Sequence, residues 1–263
     1  MAKQPRAKGA NRANPRADRN IGAPSARGGR YNQDRTSNVI ELNFPQKPKK
    51  QRVDIVPRNL TQETLVASLE NPNKYVTFAV GPAGTGKTLL ATLHAIKCFK
   101  AGLVEKIVIT RPNVAVDDRD IGYLPGDIMK KMTPWMLPVL DVFAEYYTQL
   151  EITTMLEENI IEMVPIAFIR GRTFKNSYIL VDEAQGTTPN SLLSILTRIG
   201  EGSKMVVTGD VAQSDRGKDN GLSDFLNRFE SSEHIDVIEF ARKDVERHPV
   251  VRELLGIYKD GQF

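Results

Sequence analysis

The octapeptide GPAGTGKT at residues 81–88 constrains the fold of this chain more than any other feature of its sequence. It matches the pattern G-x-x-x-x-G-K-[ST] at every fixed position, and it lies between the apolar run VTFAV and a stretch of helical periodicity from Leu89 to Ala101. Glycines allow positive φ angles and let backbone N–H groups approach an anion, to which a helix N-terminus adds partial positive charge. The sequence therefore predicts a strand, a phosphate-binding loop and a helix in succession.

The predicted loop assigns separate roles to its residues. We expect Lys87 to bridge the β- and γ-phosphates of a nucleoside triphosphate, and Thr88 to be a ligand of Mg²⁺. Contacts with the bound nucleotide are expected from Gly81, Pro82, Ala83, Gly84, Thr85, Gly86, Lys87 and Thr88.

Five short apolar runs alternate with helical stretches beyond residue 53. The runs are 76–80, 106–110, 177–181, 204–208 and 235–240, and the clearest later helical stretches are 190–199 and 222–229. Near-continuous apolar strands that alternate with helices are typical of a parallel sheet covered on both faces. The predicted fold class is α/β, a three-layer sandwich around a mostly parallel sheet.

Two acidic residues follow the apolar run SYILV at the end of the third predicted strand. Mg²⁺ prefers hard oxygen ligands and retains water, so Asp182, at a strand end beside the loop, is predicted to hold the ion through water. Glu183 would orient or deprotonate the attacking water, which favours hydrolysis over binding alone. The spacing is compatible with the P-loop class in which one further strand lies between the strands that precede the loop and Asp182.

A third candidate element is TGDVAQ at residues 208–213, after the fourth predicted strand. A polar amide at the carboxyl edge of a parallel sheet can contact a γ-phosphate or the attacking water, and we predict this for Gln213. Capping of a turn is the alternative role for the same side chain. The sequence has no N-K-x-D motif, which argues against a guanine nucleotide.

The charge of the chain is unevenly distributed. Residues 1–52 contain 13 Lys and Arg against three acidic residues, a formal charge of +10, whereas the remainder carries −6 and the whole chain +4. Residues 1–38 are nearly free of large apolar groups, so we predict a disordered basic tail and linker over residues 1–52 and one domain over 53–263. The tail either binds RNA or single-stranded DNA or serves only to keep the chain soluble.

Cysteine content and hydropathy exclude other classes of protein. The single Cys rules out an intramolecular disulfide framework and fits a reducing compartment. No run of about 18 apolar residues predicts a transmembrane helix, and the N-terminus lacks the apolar core of a secretory signal. The expected location is cytoplasmic, with no membrane partner.

Several sequence blocks occur in an order that resembles the PhoH family. They are GPAGTGKT, TRPNVAVDDRDIGYLPGD at 110–127, RGRTFKNSYILVDEAQ at 170–185 and TGDVAQSD at 208–215. The resemblance covers about residues 60–260. It implies a RecA-like P-loop NTPase fold related to superfamily one helicases, ATP binding and hydrolysis, a ring that is often hexameric, and a link to RNA or phosphate metabolism. Gly186 departs from the Asn that usually follows DEAQ in the family.

The resemblance adds predictions for residues outside the loop. Gln62 would read the adenine edge through its amide, the alternative being a residue of a helix N-terminus capped by Thr61. In ring ATPases an Arg from a neighbouring subunit contacts the γ-phosphate, and Arg172 and Arg198 are the favoured candidates, with surface ion pairs as the alternative. Arg111 would either border nucleic acid or form a structural ion pair.

Two functions follow from these patterns. The first is an ATPase that hydrolyses ATP with Mg²⁺ as a homo-hexameric ring and acts on, or is regulated by, RNA or single-stranded DNA. The second is an interaction module that ATP switches between assembly states with negligible turnover. An amphipathic helix predicted over residues 135–147 would face the ring pore or the next subunit.

Overall fold

A computed structural model of the protein describes residues 52–112, 135–214, 217, 219–246 and 250. All of them belong to one unit of the chain, Asn38–Phe263. The predicted basic tail lies outside the described residues except for Arg52, so the tail and the domain boundary at residue 53 stay predictions.

Helices and strands alternate along the described part of the chain. The helices are α1 (Leu60–Glu70), α2 (Lys87–Lys100), α3 (residues 135–143), α4 (Gln149–Glu157), α5 (Ile166–Ile169), α6 (Pro189–Leu196) and α7 (Gly221–Arg228). The strands are β1 (Val76–Val80), β2 (Lys106–Thr110), β3 (Ile161–Met163), β4 (Ser177–Val181), β5 (Lys204–Gly209) and β6 (Ile235–Glu239). Among these helices, none has the length and apolar character needed to span a membrane.

The strands form one sheet in the order β3–β2–β4–β5–β1–β6, and every neighbouring pair is parallel. β5 lies between β1, which leads into the phosphate loop, and β4, which ends before Asp182. In the β1–β5 pair Val80 is opposite Gly209, and in the β4–β5 pair Val181 is opposite Val207. Because parallel strands end at the same edge, the segments that follow β1, β4 and β5 meet at the carboxyl edge of the sheet.

Helices cover both faces of the sheet. One apolar cluster packs α1, α2, α3 and α4 against one face, with Leu65, Ile96 and Phe143 at its centre. A second cluster packs α5, α6 and α7 against the other face through residues such as Ile195 and Leu222. β1 and β4 are buried along their whole length, which explains why their sequences are continuously apolar. The predicted three-layer α/β sandwich is confirmed.

β3 was not among the predicted strands. It has three residues, carries Glu162 at its centre and, among the described strands, pairs only with β2 at an edge of the sheet. Its three residues alternate between apolar and polar, but an alternation this short falls below the about four to eight residues that indicate a strand.

The predicted helix over residues 135–147 is wrong at its end, because the described helix ends at residue 143. Thr148 then starts α4 with a capping box, in which its N–H donates to Glu151 Oε2 at 2.6 Å and its Oγ1 accepts from Glu151 N at 3.2 Å. The alternative role for Gln62, in the first turn of a helix, matches its place in α1, but the cap suggested with it is wrong. Asn59, rather than Thr61, is the N-cap, and its Oδ1 accepts from Gln62 N at 2.9 Å.

Candidate nucleotide-binding site

The phosphate loop turns between β1 and α2 in a space that admits only glycine at its first position. Gly81 has φ 137°, and a Cβ atom there would lie 2.2 Å from the carbonyl oxygen of Phe240. The N–H of Gly81 donates to Gly209 O at 3.0 Å, and the N–H of Phe240 donates to Val80 O at 2.7 Å. The end of β5 and the segment after β6 thus hold the loop from two sides, and the N-terminus of α2 lines a cavity of about 190 Å³.

Lys87 is the cation of this cavity. Its Nζ donates to Gly81 O and Pro82 O, both at 2.6 Å, so the ammonium group lies against its own loop. Burial lowers the pKa of Lys87, while neighbouring carboxylates, Asp210 first among them, act in the opposite direction. Phosphate oxygens in the cavity would offer this ammonium group stronger, charge-assisted acceptors than the two carbonyls.

Thr88 and Asp182 meet at the wall of the cavity. Asp182 is buried, and its Oδ1 accepts hydrogen bonds from Thr88 Oγ1 at 2.8 Å and from Thr208 Oγ1 at 2.7 Å. A hydroxyl and a carboxylate oxygen beside a phosphate-sized cavity are the hard donors that Mg²⁺ takes together with phosphate oxygens and water. The donor set therefore fits the ion that the sequence predicted at Thr88 and Asp182.

Glu183 has an uncommon backbone conformation and a constrained side chain. Its φ of 56° and ψ of 41° place it in the left-handed region, which is unfavourable for a residue with a side chain. Oε1 accepts from Arg111 Nη2 at 3.0 Å, and Oε2 accepts from Gln185 Nε2 at 2.5 Å. Glu183 lines the cavity beside Asp182, so the two acidic residues face the same space.

Gln213 also lines the cavity, and its side chain is hydrogen-bonded to Asp210. Its Nε2 donates to Asp210 Oδ2 at 2.5 Å, while Asp210 Oδ1 accepts from Ala212 N at 3.0 Å and caps the turn. The N–H of Asp210 donates to Gln185 Oε1 at 3.1 Å. Gln185 therefore connects Glu183 to the segment that carries Gln213, and the predicted contact of Gln213 with a γ-phosphate stays a prediction.

Gln62 is hydrogen-bonded to the backbone of the phosphate loop. Its side chain is buried, Nε2 donates to Thr85 O at 3.0 Å, and Oε1 accepts from Arg58 N at 2.8 Å. A Cβ atom on Gly86 would lie 2.9 Å from this Nε2. Both ends of the amide thus contact backbone in the structure, and its predicted role in reading adenine stays a prediction.

A second, larger cavity adjoins the first. It has a volume of about 460 Å³ and shares Gly84, Gly86 and Leu89 with the phosphate-side cavity. Its further lining includes Asp54, Arg58, Gln62, Glu145, Tyr146 and Glu246. Three carboxylates here favour ligand groups that donate hydrogen bonds, such as hydroxyl and amino groups, over phosphate. The first cavity therefore offers a cation and loop backbone to phosphates, and the second offers hydrogen-bond acceptors to a nucleoside.

The model of the family described as PhoH-like protein matches residues 54–259. This chain belongs to the PhoH-like protein family. A PhoH-like protein of Bacillus subtilis is 38% identical over 203 residues, which are 76% of this chain and 63% of that protein. A PhoH-like protein of Synechocystis is 39% identical, covering 70% of this chain and 56% of that protein. Protein PhoH of Escherichia coli is 36% identical, covering 78% and 58%.

These curated relatives are longer than the region they share with this chain, which spans roughly three fifths of their length. Among solved structures, the SWI2/SNF2 ATPase core of Sulfolobus solfataricus in complex with dsDNA aligns with a TM-score of 0.38 and 14% identity, covering 66% of this chain and 36% of that chain. Similarity at that level says nothing further about the site.

Arg172 and Arg198 are not near the phosphate loop of their own PhoH-like domain. They precede β4 and β5, close to the amino edge of the sheet. Arg172 forms two hydrogen bonds with Glu162, of 2.5 and 2.9 Å, and stacks on the ring of Phe174 at 4.7 Å. Arg198 Nε donates to Ser194 O at 3.1 Å. A role in trans stays a prediction for both residues.

Four residues of the PhoH-like site received no site role, or only an open one, from the sequence. Arg111 was open between nucleic acid and an ion pair, and the structure shows the ion pair with Glu183. Thr208, Asp210 and Gln185 were not singled out, although each lies in the TGD or DEAQ block and contacts a predicted site residue. Those blocks were the available signal, but side-chain partners across two loops cannot be derived from spacing.

Proposed function

We propose that this PhoH-like chain binds ATP with Mg²⁺ and hydrolyses it. The observation that carries the proposal is the 2.8 Å contact between Thr88 Oγ1, at the start of the loop helix, and Asp182 Oδ1, with Glu183 beside it. A loop hydroxyl and a strand-end carboxylate at one cavity wall are the pair that holds Mg²⁺ against the phosphates in P-loop NTPases. The family and the parallel P-loop fold support the same conclusion.

Each site residue then has a task in hydrolysis. Lys87 neutralises charge on the terminal phosphates, while Thr88 and Asp182 hold Mg²⁺, which supplies further positive charge to the phosphate oxygens. Glu183 orients the attacking water and accepts its proton as the bond from water oxygen to γ-phosphorus forms and the bond to the bridging oxygen breaks. Gln213 contacts the γ-phosphate or the water, and the larger cavity receives the nucleoside, with Gln62 next to the adenine.

One observation favours the alternative in which ATP gates assembly with negligible turnover. Both oxygens of Glu183 are engaged by Arg111 and Gln185, so the proposed base is restrained in the structure described here. A site that binds nucleotide but rarely frees this carboxylate would act as a switch between conformations.

The decisive experiment measures ATP binding and Mg²⁺-dependent ATP turnover for the wild type and Lys87→Ala. We expect the substitution to abolish turnover and to weaken ATP binding, because it removes the cation at the phosphates. Lys97→Ala is the matched control, since Lys97 lies on the same helix and pairs with Glu70 at the surface. Equal turnover by the wild type and Lys87→Ala would refute hydrolysis at this site, and binding without turnover in the wild type would favour the gated module.

We further propose that the chain assembles as a homo-hexameric ring in which Arg172 or Arg198 reaches the γ-phosphate of a neighbouring subunit. An arginine supplied in trans contributes to the rate of phosphoryl transfer in related NTPases. Arg172 and Arg198 precede β4 and β5, whereas the phosphate loop follows β1. Among the described residues, their side chains contact Glu162 and Ser194 rather than the loop. Substitution of either residue by Ala should then lower turnover while ATP binding persists. Light scattering with and without ATP measures the assembly itself.

The nucleic-acid role is proposed for the basic tail, with RNA or single-stranded DNA as the partner. Residues 1–52 carry a formal charge of +10, and phosphate contacts by Lys and Arg make binding depend steeply on salt. Deletion of residues 1–48 should weaken binding to both nucleic acids and flatten its salt dependence. Unchanged affinity at low salt would leave the tail a solubilising segment only.

A further inference from the structure

Arg111 connects the candidate catalytic carboxylates to a helix outside the cavity. It follows β2, and its Nη2 lies 3.0 Å from Glu183 Oε1 while its Nη1 lies 3.9 Å from Asp182 Oδ2. The same Nη1 donates to the carbonyl oxygen of Trp135 at 2.8 Å. Trp135 is the first described residue of α3. One guanidinium group therefore contacts both acidic residues and the first described residue of this helix.

The contacts of Glu183 do not suit a residue that has to accept a proton from water. A general base needs a lone pair directed at the proton it removes. Oε1 of Glu183 accepts from the Arg111 cation, and Oε2 accepts from Gln185 at 2.5 Å, which fixes the carboxylate between these two donors. Each oxygen keeps a second lone pair, but the two donors fix the orientation of the carboxylate. Turning Glu183 to a water molecule elsewhere in the cavity therefore requires that one of these contacts is exchanged.

The surroundings of Arg111 show that its present contacts leave hydrogen-bonding capacity unused. Arg111 Nε and Thr110 Oγ1 are both buried and have no hydrogen-bond partner among the described residues. Such groups are rare in folded proteins, and Glu183 next to them has a left-handed backbone. An arrangement with unsatisfied donors and local strain gives way readily when a stronger acceptor arrives, and a triphosphate is such an acceptor.

We propose that Arg111 is a positioning residue that restrains Glu183 through the ion pair between them, and that a bound triphosphate draws Arg111 away, which releases Glu183 and changes the contact between Arg111 and Trp135. The proposal deepens the proposed function and rests on it, because the triphosphate supplies the competing acceptor. Arg111 thereby links the state of the cavity to α3 through a single side chain.

The first test needs no nucleotide and no turnover. Trp135 is the only tryptophan of the chain, so its fluorescence reports on the described part of α3 that contacts Arg111. Gln at position 183 keeps an acceptor oxygen but loses the charge, so its contact with Arg111 is weaker. The emission of nucleotide-free Glu183→Gln should therefore shift towards that of the wild type saturated with Mg²⁺ and a non-hydrolysable ATP analogue. Arg228→Gln is the control, since Arg228 forms an exposed ion pair with Asp224 on α7 and should leave emission unchanged.

The second test separates the two contacts of Arg111. Arg111→Gln should raise kcat by about fivefold, the change expected when one ion pair no longer has to be broken. It should also raise KM, because Arg111 no longer donates to the triphosphate. The emission of Arg111→Gln should no longer respond to the analogue. Arg111→Lys keeps the charge but not the fork of donors, so its kcat should lie between those of the wild type and Arg111→Gln while the emission response weakens.

Three results would overturn the proposal. They are wild-type emission from nucleotide-free Glu183→Gln, a fall in kcat for Arg111→Gln, or an undiminished emission response in Arg111→Gln. Failure of the wild type to bind the analogue would instead refute the proposed function, and the emission of nucleotide-free Glu183→Gln would still decide whether Arg111 links Glu183 to α3.

Discussion

At the amino edge of the sheet Glu162 accepts hydrogen bonds from Arg172 and Lys106, whereas at the carboxyl edge Glu183 pairs with Arg111 beside a cavity. The amino-edge pair is packed among groups of the same chain, and Arg172 also stacks on an aromatic ring. The carboxyl edge combines a left-handed carboxylate, unpartnered buried atoms and a lysine held by its own loop. The polar groups near the amino edge are paired with one another, while those at the carboxyl edge include groups that can still bind a ligand.

Substitution of the two glutamates gives the largest expected difference between the edges. Glu183→Gln should lower ATP turnover by about 100-fold or more, because it removes the proposed proton acceptor. Glu162→Gln should change turnover far less, since its partners lie away from the cavity of their own domain and only an Arg172 that acts in a neighbouring subunit would be affected. Steady-state assays at saturating ATP and Mg²⁺ make the comparison, with ATP binding measured for each variant. Similar losses in both would mean that the carboxyl edge has no special role.

Two glycines with positive φ, one at the carboxyl edge and one before β2, test how much the close approach of Phe240 contributes to stability. Gly81→Ala should lower the free energy of unfolding by about 3 kcal/mol, because the new Cβ meets the Phe240 carbonyl in addition to backbone strain. Gly102→Ala, where φ is 68° and the space is open, should lose about 1 kcal/mol from strain alone. Urea unfolding of the full chain measures both. Equal losses would show that the approach of Phe240 is not limiting.

The stability of the folded domain should depend on pH through the buried His94. Burial, aided by the Lys204 and Lys97 cations and opposed by Glu70, lowers the pKa of His94 to about 4. The unfolded chain takes up this proton near pH 6.5 and the folded chain does not, so the stability from neutral His94 is present above pH 6.5 and is lost as pH falls towards 4. The loss amounts to about 3 kcal/mol.

His94→Gln keeps a polar partner for Tyr178 and removes this titration. Urea unfolding at pH 7.5 and pH 4.5 should show a smaller decrease in stability for the variant than for the wild type. The difference between the two proteins isolates His94 from the carboxylates that titrate in the same range. An equal decrease would mean that His94 is protonated in the folded state.

The smallest effect is expected at Lys204, on the amino edge. Its Nζ donates to Leu69 O, and also to Asn71 O at 3.0 Å, so it satisfies carbonyls at the end of α1. Lys204→Met should lower the free energy of unfolding by about 1 kcal/mol and leave turnover unchanged. Thermal unfolding with a parallel ATPase assay checks both statements. A clear fall in turnover would contradict the separation of the two edges.

The sequence predicted structure well where a residue type has a single physical role, such as burial in a strand or a close backbone approach. Continuous apolar runs at β1 and β4 indicated buried parallel strands, and the glycines of the loop indicated close approach of backbone, which Gly81 shows. The pairing of Thr88 with Asp182 was implied by two separate motifs and is seen at 2.8 Å.

Other features depend on tertiary contacts that no local pattern encodes. The left-handed conformation of Glu183 is imposed by the turn after β4, and glutamate carries no signal for it. Gln62 was predicted to read adenine, and in the structure both ends of its amide contact backbone, which depends on the path of residues 58–62. The cytoplasmic location, the ring and the tail's partner stay predictions.

The strand order also has a consequence for folding of the chain during its synthesis on the ribosome. β1 pairs with β5 and β6, whose residues 204–209 and 235–239 are synthesised more than 120 residues after it. Until those strands emerge, the loop lacks its contacts with Gly209 and Phe240, whereas β2, β3 and β4 can pair earlier. Contacts so distant in sequence slow folding. Nascent chains should therefore acquire nucleotide affinity late and abruptly, after residue 239 has left the exit tunnel.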